Sequence, residues 1–239
     1  MDLAASTIVV TGASAGLGRR FSRDLVAAGA RVFGLARRTG RLDALAEELG
    51  DAFTGIECDV ADETSVDNAF ERIVEESGQV NALINNAGFG RFGPIDEMSA
   101  RDFDLLMKVN VRGVFLCSRR VVPVMRRQND QSGFGGHIVN IASIAGLIGN
   151  PEIGAYNASK FGVRGLSESM FKELRGDGIK VTCLFPGSIE TEFFDRADAS
   201  MTSNPLTPEH ISSTLVHVLE TPENYLISEI VMRPLRPKG

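Results

Sequence analysis

Tyr156 and Lys160 stand four residues apart in Y-N-A-S-K, so on a helix they lie one above the other on a single face. A phenol with a pKa near 10 is a poor base at neutral pH, but an ammonium beside it stabilises phenolate and lowers that value. The pair then becomes a usable proton donor and acceptor. Ser143, thirteen residues before the tyrosine at the end of an apolar run, offers a hydroxyl that holds a substrate oxygen. Asn110, in N-V-R-G, is a candidate to position a water linking Lys160 to solvent, although taken alone it reads as a helix-start residue. Each piece also has a plain reading, since tyrosine–lysine pairs occur on surfaces and serines cap turns. Together they describe proton transfer at a carbonyl or alcohol oxygen.

A second group of residues suits a dinucleotide. T-G-A-S-A-G-L-G, Thr11 to Gly18, lies between a β-branched run and an amphipathic segment. Gly12, Gly16 and Gly18 permit the tight turn and the close approach of backbone amides to a diphosphate, and the helix N-terminus adds its dipole. The strand–glycines–helix context raises this above a plain glycine turn. An NAD-preferring site carries an acid roughly 20 residues after the glycines, to bond the ribose 2′-hydroxyl. Here that region reads G-L-A-R-R-T-G, with no acid and with Arg37 and Arg38 adjacent. A carboxylate repels the extra phosphate of NADP, whereas guanidinium groups bind it with charge-assisted forks, so NADP(H) is expected over NAD(H). The alternative is two arginines on a solvated helix start. Asp59, past the third strand, is placed to accept from an adenine amino group or to act as an ordinary cap.

The elements that must hold these groups alternate. Strands are expected at Ser6–Val10, Arg31–Ala36, Phe53–Cys58, Val80–Ile84, His137–Ala142, Lys180–Phe185 and Leu226–Met232. Helices are expected from the glycines to about Ala28, and over Gly40–Leu49, Asp62–Ser77, about 99–108, about 110–127, the segment carrying Tyr156, and Pro208–Glu220. Gln128 to Gly136 reads as a surface loop, and the tail R-P-L-R-P-K-G from 233 as solvated chain. The alternation predicts an α/β fold, a doubly wound parallel sheet of about seven strands with helices on both faces, as one domain over residues 1–239. Ligands of such sheets bind outside the strands' C-terminal ends. The glycine turn, N-N-A-G at 85–88, Ser143 and Pro186–Gly187 each follow a strand, so all should meet on that edge.

The chain's 239 residues and 43% hydrophobic content suffice for one sizeable core. Its net charge of −6 argues against nucleic acid or a membrane surface as partner, so phosphate recognition must be local. Cys58, Cys117 and Cys183 are dispersed in apolar segments with no metal-type spacing, which favours reduced core thiols and no metal. The chain passes from Met1 almost directly into a strand, so no cleavable signal is expected, nor is any apolar run long enough for a membrane helix. The expected location is the cytosol.

With these motifs in order, the chain resembles the short-chain dehydrogenase/reductase family in its common single-domain, Rossmann-like type. T-G-A-S-A-G-L-G matches the family's T-G-x-x-x-G-x-G, N-N-A-G matches outright, and P-G-S-I-E-T at 186–191 is similar to its P-G-x-x-x-T. Asn110, Ser143, Tyr156 and Lys160 match its catalytic tetrad, including the Ser–Tyr step and Y-x-x-x-K. The resemblance covers nearly the whole chain. It implies reversible hydride transfer between NADP(H) and a carbonyl/alcohol pair. Tyr156 is then the acid/base and Ser143 the substrate-oxygen anchor; Lys160 binds the nicotinamide ribose and tunes Tyr156, and Asn110 holds a relay water. It also implies cofactor contacts from Gly12, Ser14, Gly16, Leu17, Gly18, Arg37, Arg38, Asp59, Val60, Asn86, Ala87, Gly88, Pro186, Gly187, Ile189 and Thr191, besides Tyr156 and Lys160. The rival reading is a catalytically silent NADP-binding regulator or scaffold of the same fold; such proteins usually lose the tyrosine or lysine, and both are present here.

Two further expectations concern surfaces. Opposite Lys160 on the helical wheel lie Ala158, Gly162, Gly165 and Ser169, a stripe of small residues. Glycine inside a helix costs up to about 1 kcal/mol relative to alanine, so something should approach closely there. The family commonly makes dimers and tetramers through this helix, and a homodimer or homotetramer is expected. Residues 187–206 are long enough to form a lid over cofactor and substrate. Phe193, Phe194, Leu147, Ile153 and Phe89 are candidate apolar walls, with Arg91 and Glu152 as polar contacts. The small-molecule substrate itself is not legible.

Overall fold

The computed structural model describes residues 1–192 and 204–236. Seven strands form one parallel sheet: β1 (Thr7–Thr11), β2 (Arg31–Ala36), β3 (Phe53–Glu57), β4 (Ala82–Asn85), β5 (Gly136–Ile141), β6 (Ile179–Pro186) and β7 (Glu229–Met232). Their order is β3-β2-β1-β4-β5-β6-β7, every neighbouring pair parallel. The chain therefore reverses its direction of travel between β1 and β4, and the turns leaving those strands diverge to open a crevice.

Alternating side chains of each strand enter opposite layers. Ile8 and Val10 of β1 pack with Phe21 and Leu25 of α1 (Gly16–Ala27), Leu42 and Leu45 of α2 (Thr39–Leu49) and Ile211 and Leu215 of the last helix (Pro208–Glu220). Val9, between them, faces Val66, Phe70 and Ile73 of α3 (Glu63–Ser77) on the other side. That second layer is completed by α5 (Gly113–Ser132), through Leu116 and Val121, and by α6 (Gly154–Leu174), through Met170 and Leu174. Cys58, Cys117 and Cys183 are buried and unpaired, as core thiols. No helix among the described residues is long and apolar enough to cross a membrane.

Three differences from the sequence reading matter. Helix α5 runs on to Ser132, so Gln128 is not in a loop; its amide accepts from the Val80 N–H (2.8 Å) and donates to the carbonyls of Val80 (3.0 Å) and Gly135 (2.7 Å). Those bonds outweigh the polar, glycine-rich local composition. Between α4 (Ala100–Met107) and α5 the chain does not break but widens into a π turn at Lys108–Arg112, centred on Asn110. Lastly, Arg233 and Pro234, at the start of the supposed solvated tail, lie on the wall of the main cavity. The sheet rule puts residues after β7 on the ligand edge, and composition alone hid this.

Candidate active site

A cavity of about 850 Å³ lies along the C-terminal edge of the sheet. Its wall carries Gly12, Ser14, Gly16 and Leu17 from the first turn; Arg37, Arg38, Asp59 and Val60 beside them; Asn86, Ala87 and Gly88; Ser143, Tyr156 and Lys160; and Pro186, Gly187, Ile189 and Thr191. The structure thus brings together nearly all the expected site residues. Of the expected catalytic and cofactor residues, Gly18 and Asn110 do not line it.

The glycine turn passes a fit test for a dinucleotide. Gly12 and Gly16 have φ of 71° and 51°, the left-handed region glycine tolerates. A Cβ on Gly18 would collide with the Gly12 carbonyl oxygen and the Asn86 amide, so Gly18 serves close packing of α1 under the turn rather than contact with a ligand. Thr11 fastens this turn to N-N-A-G: its hydroxyl accepts from the N–H groups of Asn86 and Ala87, both at 2.9 Å. Arg37 is exposed, its nearest acid Asp59 at 3.9 Å, while Arg38 donates to the Ser14 hydroxyl (2.9 Å). Asp59 caps its own turn by accepting from Ala61 N–H (3.0 Å) and still reaches the cavity wall.

At the other end, α6 carries Tyr156 and Lys160, 7% and 6% exposed, facing the turn that follows β5. The Ser143 hydroxyl accepts from the Ala145 N–H (3.2 Å), and it lies close enough to the Tyr156 phenol to favour phenolate. Lys160 Nζ donates to the Ile141 carbonyl (2.8 Å) and sits 5.7 Å from the Tyr156 ring centre. Phe92 meets that ring edge-on at 5.5 Å. Burial pushes the Tyr156 phenol up to about 12. The same burial lowers the Lys160 ammonium to about 8. The expected depression of the phenol by its lysine is therefore not the balance found: desolvation dominates, and the opposing influence is the Ser143 hydroxyl.

The Asn110 side chain accepts from Phe89 N–H (3.0 Å) and donates to the Phe89 carbonyl (2.9 Å) and the Ser159 hydroxyl (3.1 Å). It ties the N-N-A-G loop to α6, and a Cβ on Gly88 would stand 3.1 Å from its Oδ1 and 3.8 Å from Lys160 Nζ. Of the expected substrate contacts, Phe89, Arg91 and Ile153 line the cavity. Leu147 does not; it packs into the core with Val114 and Phe185. Glu152 also stays outside, its carbonyl accepting from Gly93 N–H (2.6 Å). Phe193 and Phe194 lie outside the described residues. The base of their segment is pinned by Glu190 N–H to the Leu206 carbonyl and Leu206 N–H to Ser188, each 2.8 Å.

Two residues that the sequence did not single out hold Ser143 against Tyr156. Asn157, buried beside the tyrosine, donates to the carbonyls of Ala145 (2.6 Å) and Ile148 (2.8 Å) and accepts from Asn150 N–H (3.2 Å). Gly146 lets that turn rest on α6, because a Cβ there would be 2.7 Å from the Lys160 carbonyl oxygen. Their only sequence signal is adjacency to the serine and the tyrosine.

Comparison with known proteins gives the family. The family model for short chain dehydrogenase matches residues 6–202. The chain belongs to that family. It is 34% identical to farnesol dehydrogenase of Aedes aegypti over 246 residues, covering 98% of both chains. Among solved structures it is similar to a 3-ketoacyl-(acyl-carrier-protein) reductase from Brucella melitensis complexed with NADH (26% identity, TM-score 0.89, covering 96% of this chain and 97% of that one). It is similar also to the closed form of a serine dehydrogenase complexed with NADP+ (28% identity, TM-score 0.88, covering 98% and 96%). As a short-chain dehydrogenase the protein is an oxidoreductase, of a kind acting on alcohol or carbonyl groups.

Proposed function

We propose that this short-chain dehydrogenase transfers hydride reversibly between NADP(H) and a ketone or aldehyde and its alcohol. The observation that carries the reading is that Ser143, Tyr156 and Lys160 stand together on the wall of one cavity that continues to the glycine turn and the two arginines. Bound along that cavity, the dinucleotide supplies or accepts the hydride. The backbone of Gly12–Gly16, at the N-terminus of α1, holds the diphosphate, and Arg37 and Arg38 take the 2′-phosphate. Ile189 and Thr191 flank the nicotinamide end, and Lys160 binds its ribose.

Tyr156 gives its phenolic proton to the carbonyl oxygen during reduction and takes it back during oxidation, while Ser143 donates a hydrogen bond to the same oxygen. A phenol held near 12 is fully protonated at neutral pH, which suits the acid role. Alcohol oxidation should accelerate as pH rises, because the same phenol must first lose its proton to act as base. Phe161, one turn before Gly165 on the same helix, is exposed, as is Phe115 of α5, and Gly165 has open space around it, whereas Gly162 packs on Val111 of its own chain. We assign that face to a second copy.

The test follows NADPH absorbance over a panel of ketones and aldehydes. Tyr156→Phe should lose at least about a hundredfold in kcat, the scale of a positioned proton donor. Equal turnover by the two proteins would refute the assignment. Arg37→Ala should weaken NADPH binding far more than NADH binding. Light scattering at micromolar concentration should give a dimer or larger, and a monomer would remove the second copy.

A further inference from the structure

The cavity's charge runs against that of the chain. The protein carries −6, yet Arg37 and Arg38 line one end of the cavity and Arg91 and Arg233 the other, with only Asp59 and Glu192 as wall acids. On the proposed function, the cofactor's phosphate accounts for the first pair of arginines. Nothing in the dinucleotide accounts for the second. Arg91 is partly neutralised by Asp102 at 3.4 Å, and Glu192 is engaged by Arg41 at 3.2 Å. Arg233 has no ion-pair partner among the described residues.

Its position is fixed by backbone. Met232, at the end of β7, accepts from Gly187 N–H (2.8 Å). Pro234 follows so closely that a Cβ on Gly187 would stand 2.9 Å from its Cδ and 3.0 Å from Ile144 Cδ1, the side chain next to Ser143. The Asn204 amide holds the next residue through the Leu235 carbonyl (2.6 Å). Arg233 thus stands on a tethered turn whose backbone packs close to Ile144, next to Ser143, and it lines the cavity together with Ile144 and Pro234. A planar carboxylate matches a single guanidinium fork.

We propose that Arg233 binds a carboxylate of the substrate, so that the oxidoreductase acts on oxo and hydroxy acids. The inference rests on the proposed carbonyl/alcohol chemistry and adds the substrate's charge. The carboxylate docks at the β7 end while the reacting oxygen meets Ser143 and Tyr156.

The experiment compares a short 3-oxo acid with its methyl ester, under NADPH, for wild type, Arg233→Met and Arg233→Lys. Arg233→Met should raise KM for the acid about tenfold, the scale of one charge-assisted hydrogen bond, with kcat and the ester's KM little changed. Arg233→Lys should recover part of the loss, and added salt should weaken the acid selectively. Equal effects of Arg233→Met on acid and ester would overturn the inference, as would a wild type that prefers the ester; both leave the activity standing. Calorimetric titration of the matching 3-hydroxy acid into the NADP+-loaded protein separates the two ideas. Binding that Arg233→Met weakens, without turnover of either carbonyl, upholds the anion site and removes the activity. Absence of both binding and turnover overturns the inference.

Discussion

Replacing Lys160 with methionine should flatten a rise of stability that the wild type is expected to have above pH 8. The native ammonium is buried with the Ile141 carbonyl as its hydrogen-bond acceptor, and burial lowers its pKa from 10.5 to about 8. Between those pH values the unfolded chain still holds a proton that the native state has released, so stability increases with pH across the window. Below pH 8 the folded protein bears the full cost of the buried charge, about 3 kcal/mol as an upper figure from the difference between the two pKa values. Methionine keeps most of the stem volume and removes the titration, but leaves the Ile141 carbonyl without that donor, a cost of about 1–3 kcal/mol that does not vary with pH. The two proteins should therefore be within about 2 kcal/mol of each other at pH 7. The wild type should gain on the variant by up to about 3 kcal/mol by pH 10.5. Tyr156, raised to about 12, contributes equally to both and cancels in the difference. Urea unfolding followed by circular dichroism from pH 7 to 10.5, without cofactor, measures this directly. Parallel profiles for the two proteins would show that Lys160 is not desolvated as described, and the account of its tuning would fall with it.

The remaining predictions concern the scaffold of the site. Asn157→Asp keeps the shape but turns a carboxylate toward the carbonyls of Ala145 and Ile148, and should cost about 2–4 kcal/mol at pH 7, more than Asn157→Ala. Thermal unfolding checks the order, and an aspartate variant as stable as wild type would contradict the bonding described. Gly18→Ala pushes a methyl into the Gly12 carbonyl, so α1 and the glycine turn must separate. NADPH affinity, read by calorimetry, should fall at least about tenfold while unfolding shifts by only about 1–3 kcal/mol; unchanged affinity would mean that the turn is not the diphosphate site.

Much of this protein was legible because its signals are local. Each strand–helix step shows in the apolar period, and the topology rule for alternating elements then sends the glycine turn, N-N-A-G, Ser143 and Pro186–Gly187 to one edge, where the structure has them. The four-residue step of Tyr156 and Lys160 fixes their common face of α6 with no tertiary information. What was not legible depends on which distant groups meet. Asn110 proved to be a clamp on Phe89 because the chain widens at Lys108–Arg112 and directs its amide inward. Leu147 went to the core while Arg233 came to the cavity, since each is placed by the backbone it adjoins and not by its hydropathy. The proton affinities of Tyr156 and Lys160 likewise follow from desolvation, which exists only once the sheet, α6 and the Ser143 turn have closed around them. Residue type and spacing named the candidate groups; the burial around them came from packing alone.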